Sequence, residues 1–198
     1  MTSLLVLRHG QTDWSRDHRI QGRTDIPLNE VGRAWLLSRR LPRQFASWTR
    51  FSSPLLRCVQ TCECLGLDGP HIESRLAEMD WGRWEGRSLA ELRAEQGAAM
   101  QANEDRGFDF RPEQGESPRE VLARVMPWLA ELAGAAESAV AVTHRGVIRV
   151  LMAHALGWDM LGRPPVKLDW NAAHLFRVDA RGRLEAEALN QPLAATQA

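Results

Sequence analysis

Short unbroken apolar runs alternate along this chain of 198 residues with stretches in which apolar positions recur at helical spacing. Runs of the first kind suit strands buried on both faces, and spacing of the second kind suits amphipathic helices. Ser3–Leu7 reads as the first strand. Asn29 is placed to cap a helix through Val31, Ala34, Trp35, Leu37 and Leu41, broken at Pro42. Trp48–Ser52 reads as a second strand, and Ser53 as the cap of a helix with Pro54 in its first position, running to about Leu65. His71–Glu73 predicts another short strand. Met79–Gly86, rich in Trp and Gly, predicts loop, Ser88–Met100 helix, and polar Asn103–Gln114 an exposed excursion. Ser117-Pro118-Arg119-Glu120 is a capping box that opens a helix through Leu122, Val125 and Leu129, which Pro127 is expected to kink or split. Ala139–Thr143 is a further buried strand, followed by a helix over Gly146–Leu156. His174–Val178 and Leu184–Leu189 read as strands flanking a turn at Asp179–Gly182. The alternation predicts an α/β fold, a three-layer α/β/α sandwich around a mainly parallel sheet. The length suits one domain over residues 1–198 with a short lid-like excursion around 79–116.

Composition narrows the function classes. Lys+Arg and Asp+Glu both number 25, so no net field draws the chain to nucleic acid or to a membrane surface. No apolar run is long enough to span a bilayer. Met1–Leu7 lacks a basic flank and is cut short by Arg8, unlike a secretory signal, so a cytoplasmic location is expected. Cys58, Cys62 and Cys64 crowd onto one predicted helix without a second ligand pair, which predicts buried reduced thiols and no metal. Lys167 is the only lysine, so nearly all positive charge is arginine. That bias fits either a nucleotide-composition effect or anion recognition by guanidinium forks, and only position can separate the two.

Position points to one spot. Leu4–His9-Gly10 and Ala139–His144-Arg145-Gly146 are both apolar strands that end in a histidine, with a glycine close behind. Ligands of open α/β sheets bind at the carboxyl ends of strands, so His9 and His144 are expected side by side. Arg57 lies near the start of one predicted helix and Arg145 at the start of another, where a cation opposes the helix dipole unless an anion sits nearby. With Arg8 they form a candidate phosphate site. His18, His71, His154 and His174 are scattered and are read as structural or exposed, as Trp35, Trp48, Trp128, Trp158 and Trp170 are read as core.

Arg8-His9-Gly10-Gln11-Thr12 with Trp14 resembles the signature of the histidine phosphatase superfamily, also called phosphoglycerate-mutase-like. Four further blocks resemble that family in order: Gln21–Gly32, Ser52–Thr61, Leu76–Glu78 with Trp81–Gly86, and Val142–His144. The resemblance implies that His9 is the nucleophile and forms a phosphohistidine, with Arg8, Arg57 and His144 holding the phosphoryl oxygens. It implies Glu78 as general acid, with Glu85 as the rival, and phosphate or substrate contacts from Ser15, Gln21, Gly22 and Arg145. Trp14, Trp81 and Trp84 are expected around the pocket. It implies a histidine acid-type phosphatase that needs no cofactor or metal and acts on a small-molecule phosphomonoester, with the oligomeric state open.

Departures from the family pattern bear on the reaction. Ser15 stands where the family often has asparagine, and Arg145 where it often has glycine. Phosphoglycerate mutases place an arginine after the acid and a lysine further on, where this chain has Met79 and Leu89. Ala98–Glu116 is short, with Arg106 and Arg111 as its only cations. A mutase must hold a doubly phosphorylated intermediate, so hydrolysis is the favoured expectation. The alternatives are a cofactor-dependent mutase and a catalytically weak phospho-ligand-binding domain.

Overall fold

A computed structural model describes residues 2–196. Strand β1 (Thr2–Arg8) is buried along most of its length because strands flank it on both edges and helices cover both faces. It pairs in parallel with β5 (Ala139–Thr143), in register from Leu4 with Ala139 to Arg8 with Thr143. That register puts the two strand ends, and the histidines after them, level with each other. β3 (Thr49–Ser52) and β4 (His71–Ile72) continue the parallel side. β6 (Ala172–Val178) and β7 (Leu184–Pro192) close the other side antiparallel, giving the order β4-β3-β5-β1-β6-β7. The sheet is mainly parallel and flanked by helices, as the alternation predicts.

Leu5, Leu7, Val140 and Val142 face one layer with Leu36, Cys58 and Leu65, while Leu4, Val6, Ala139 and Ala141 face the other with Val125, Trp128, Leu129 and Leu151. Alternation of side chains along each strand divides the core in this way. Helix α1 (Asp13–Arg16) follows β1 directly, and α2 (Glu30–Leu37) starts at Asn29, whose side chain accepts the Gly32 N–H. α3 (Leu56–Leu65) ends at left-handed Gly66. α6 (Pro118–Ala135) opens on the Ser117–Glu120 capping box, and α7 (Arg145–Leu156) follows β5 without a break. Among the described residues no helix is long and apolar enough to cross a membrane.

Four local expectations are corrected. α2 stops at Leu37 rather than Leu41, because the chain turns into β2 (Arg39–Arg40), which pairs with β8 (Ala194–Ala195). Ser53 does not cap α3; Leu55 is the cap residue and Asp25 Oδ1 accepts the Leu56 N–H at 2.8 Å. Ser88–Met100 is two helices, α4 (Leu89–Gln96) and α5 (Ala98–Glu104), separated at Gly97, which has a positive φ of 51°. Pro127 does not split α6, which runs unbroken past it with the proline on the exposed face.

Candidate active site

The level ends of β1 and β5 bring His9 and His144 to a ring-centroid separation of 5.2 Å. His9 Nδ1 lies 2.8 Å from the Gly10 carbonyl oxygen, which can only accept. The ring proton therefore sits on Nδ1, and the Nε2 lone pair is left free. Burial holds the His9 imidazole well below its ordinary range, and the Arg8 and Arg57 guanidinium groups push it lower still. His144 is fully buried and lowered likewise, by burial first and then by Arg57. Burial and the neighbouring guanidinium groups thus favour the neutral form of both rings.

Ser53, expected to cap a helix, instead belongs to this cluster. Its Oγ accepts the Leu55 N–H at 3.3 Å and lies 2.7 Å from His144 Nε2. Ser53 Oγ and His144 Nε2 therefore share one hydrogen bond, with the proton on the hydroxyl or on the ring according to the tautomer. The Cys58 sulfur lies against the same ring, 3.4 Å from Nε2 and 3.9 Å from Nδ1. The sequence carries no signal for this role of Ser53, since Ser-Pro before a helix reads equally well as a cap.

Arg57 is fully buried in the first turn of α3. It donates to the Thr24 carbonyl at 2.9 Å and the Gly22 carbonyl at 2.8 Å. Those carbonyls are held by Glu85, whose carboxylate accepts the Arg23 N–H at 2.7 Å and the Thr24 N–H at 2.8 Å. Gly22 has a φ of 52°, and a Cβ there would stand 1.9 Å from Glu85 Oε1. Glu85 thus braces the loop that anchors Arg57 and is not aimed at the histidines. The Nε atoms of Arg57 and of Arg8 are buried without an acceptor among the described residues. Burial and the neighbouring Arg145 bring the Arg8 guanidinium down to about 10. Buried donors without protein acceptors, set among like charges, suit the binding of an anion.

Glu78 is almost wholly buried on the other side of this cluster. Its carboxylate accepts the Met79 N–H at 2.9 Å and the Gly146 N–H at 3.2 Å. A Cβ on Gly146 would lie 2.3 Å from Glu78 Oε1, so this approach requires glycine. Arg124 of α6 secures the same segment, donating to the Ala77 carbonyl at 2.7 Å and the Glu78 carbonyl at 3.3 Å while its Nε pairs with Glu116 at 2.7 Å. Thr143 Oγ1 donates to the Leu76 carbonyl at 2.7 Å. Arg124 is a positioning residue with no local signal in the sequence, whereas Gly146 is visible there as the glycine behind the second strand end.

The remaining expectations divide. Gln21 is buried, and its amide oxygen accepts the Thr12 hydroxyl at 2.8 Å. Ser15 Oγ donates to the Thr12 carbonyl at 2.9 Å, so its proton is already committed within the α1 cap. Arg145 has no carboxylate partner among the described residues; its guanidinium lies over Trp170, 5.1 Å from the ring centre. A cleft of about 270 Å³ beside His9 is lined by Arg8, Gln11, Ser15, Trp35 and Trp170 among others. Two tryptophans read as core therefore line it, whereas Trp84 is buried with Ile20, Leu92 and Met100. Cys58, Cys62 and Cys64 are free and buried, and among the described residues no His, Cys, Asp and Glu side chains cluster to hold a metal ion.

The chain matches the model of the histidine phosphatase superfamily (branch 1) over residues 4–192. A glucosyl-3-phosphoglycerate phosphatase of Mycolicibacterium vanbaalenii is 33% identical over 182 residues, covering 80% of this chain and 78% of that protein. A 2,3-bisphosphoglycerate-dependent phosphoglycerate mutase of Rhizobium etli is 32% identical over 168 residues, covering 76% of this chain and 78% of that protein. The structure of mycobacterial glucosyl-3-phosphoglycerate phosphatase complexed with VO3 superposes with a TM-score of 0.76 at 27% identity, covering 96% of this chain and all of that one. With this match spanning nearly the whole chain, and paired histidines set among arginines at the strand ends, the protein belongs to the histidine phosphatase superfamily, branch 1.

Proposed function

We propose that this protein is a phosphomonoester hydrolase that works without a metal, through a phosphohistidine on His9, on a small phosphorylated metabolite. The observation that carries the reading is the fixed tautomer of His9. With Nδ1–H given to the Gly10 carbonyl, Nε2 offers a lone pair among cationic groups that attract a phosphate dianion. In the first step Nε2 bonds to phosphorus as the P–O bond to the leaving group breaks, and Glu78 gives its proton to the departing oxygen. In the second step Glu78, now a carboxylate, takes a proton from water as the water oxygen displaces the imidazole and phosphate leaves. Arg8, Arg57 and His144 hold the non-reacting oxygens in both steps.

Hydrolysis is favoured over phosphoryl transfer to a second substrate position by the state of the nearby cations. Arg111 is paired with Glu120 and also donates to the Gly115 carbonyl, and Arg119 is paired with Asp109. Arg111 belongs to the Ala98–Glu116 segment from which a mutase would draw extra positive charge, and Arg119 follows it in the first turn of α6. The test is phosphate release from a panel of phosphomonoesters in excess EDTA, with His9→Ala beside the wild type and acid-quenched trapping of the labelled enzyme. Release that persists in EDTA, vanishes in His9→Ala and passes through an acid-labile label is the expected result. Full release by His9→Ala would refute the mechanism.

A further inference from the structure

The carbonyl that fixes the His9 ring belongs to Gly10, a residue with no side chain to hold it in place. Its N–H is tied to another element. Thr61, fully buried in α3, accepts that N–H at 3.0 Å, and the same hydroxyl donates to the Arg57 carbonyl at 2.6 Å. A carbonyl only accepts, so both bonds have one direction: Gly10 N–H to Thr61 Oγ1, and Thr61 O–H to Arg57. One hydroxyl thus joins the residue after His9 to the backbone of the residue whose guanidinium is placed to hold phosphate. In sequence Gly10 and Thr61 are 51 residues apart.

Helix formation does not account for that hydroxyl. Thr61 is β-branched, and a bond back to the carbonyl four residues earlier is slightly unfavourable to a helix. Valine has the same shape, and in its place the Arg57 carbonyl would keep its bond within the helix. What valine lacks is an acceptor for the Gly10 N–H. On its other side the turn is braced by α2. The Gln11 carbonyl accepts the Asn29 N–H at 3.0 Å, and a Cβ on Gly32 would stand 2.8 Å from the Gln11 nitrogen, so α2 lies directly on the peptide that carries the Gly10 carbonyl.

We propose that Thr61 is a positioning residue that sets the tautomer of His9. By holding the Gly10 N–H it keeps the Gly10 carbonyl aimed at Nδ1–H, which leaves the Nε2 lone pair bare. Without the hydroxyl the glycine backbone can rotate, the carbonyl leaves the ring, and the proton redistributes to Nε2, where it blocks attack. The consequence for rate rests on the hydrolase reading above, and the consequence for the ring does not.

The test is proton–nitrogen NMR correlation of nitrogen-labelled histidine rings at neutral pH in wild type, Thr61→Val and Thr61→Ser, with His9→Ala identifying the His9 signals. Wild type should carry the proton on Nδ1. In Thr61→Val the ratio of Nδ1–H to Nε2–H should fall about tenfold, the worth of one hydrogen bond, and Thr61→Ser should restore it. The kcat of Thr61→Val should fall with the competent fraction of His9, by the same factor for p-nitrophenyl phosphate and for alkyl phosphates, because the nucleophile and not the acid is impaired. Thr61→Ala, which cannot crowd the site, replaces Thr61→Val if the latter does not fold. An unchanged ring in the folded variant, or a Thr61→Ser ring that matches Thr61→Val, would overturn the role of Thr61 and leave the hydrolase reading standing. Absence of phosphate release by wild type would do the reverse, since the ring spectra decide the role of Thr61 without turnover. A wild-type proton on Nε2 would overturn both.

Discussion

Replacing Gly146 with alanine separates the chemistry of Glu78 from the stability of the fold. The new Cβ would stand 2.3 Å from Glu78 Oε1, against an ordinary contact that begins at 3.4 Å, so the carboxylate must retreat by about 1 Å. The oxygen is the far end of a flexible side chain, so it moves more easily than the helix does. Gly146 has no positive φ, and alanine is better than glycine in a helix by roughly 1 kcal/mol, which offsets part of the crowding. The melting temperature should therefore change by only a few degrees. The acid, however, is displaced from the Gly146 N–H and from its aim, and misplacement by about 1 Å can cost roughly 10²-fold in rate. That loss should fall on alkyl phosphates, whose leaving oxygen needs a proton. p-Nitrophenyl phosphate, with an acidic leaving group, should lose only a few-fold. The assay is kcat for both esters in wild type and Gly146→Ala, beside a thermal melt. An equal fall for both esters, or an unchanged alkyl rate, would refute the assignment of Glu78 as proton donor.

Three further outcomes are expected. His9, His144 and His174 are buried and lowered, His174 to about 4 mainly by burial, so the folded state resists protons that the unfolded chain takes up near 6.5. Stability should fall as pH drops below 6.5, by about 1.4 kcal/mol per pH unit for each such histidine, and urea titrations should find a shallower fall in His174→Gln. Gly22→Ala puts a Cβ 1.9 Å from Glu85 Oε1 at a left-handed φ, so it should cost about 1–3 kcal/mol and weaken phosphate binding through Arg57. Gly66→Ala, with a similar φ and open space around it, should destabilise without touching phosphate affinity, as calorimetry with inorganic phosphate would read.

What the sequence reveals here follows from how local each signal is. β1 and β5 are readable because each is a continuous apolar run, and their histidines are conspicuous because each ends one. Capping at Asn29 and Ser117 is readable because the partners lie within three residues. Ser53 is misread because its partner, His144, lies 91 residues away. Trp35 and Trp170 have core spacing on their own segments, and only the meeting of α2 with the start of β6 leaves a cleft between them. Arg124 reads as one more charged position on a helix, yet it holds the Ala77 and Glu78 carbonyls from α6. Local periodicity can supply elements and strand ends; it cannot supply which helix face meets which loop.

Arg57 is gripped by two carbonyls and not by a carboxylate, and the distinction reaches beyond catalysis. An acid in that place would neutralise the guanidinium, but it would also occupy the donors and repel an incoming dianion. Carbonyls fix the side chain and leave its whole charge exposed to whatever arrives. Folding and catalysis therefore compete for the same residues: the unliganded protein carries mutual repulsion among Arg8, Arg57 and Arg145 that a bound oxyanion relieves. A phosphate bound there at a hundred times its Kd would add about 2.7 kcal/mol to the stability of the fold. The enzyme's own product then serves as both inhibitor and stabiliser, so phosphate level would set how active the enzyme is and how long it survives.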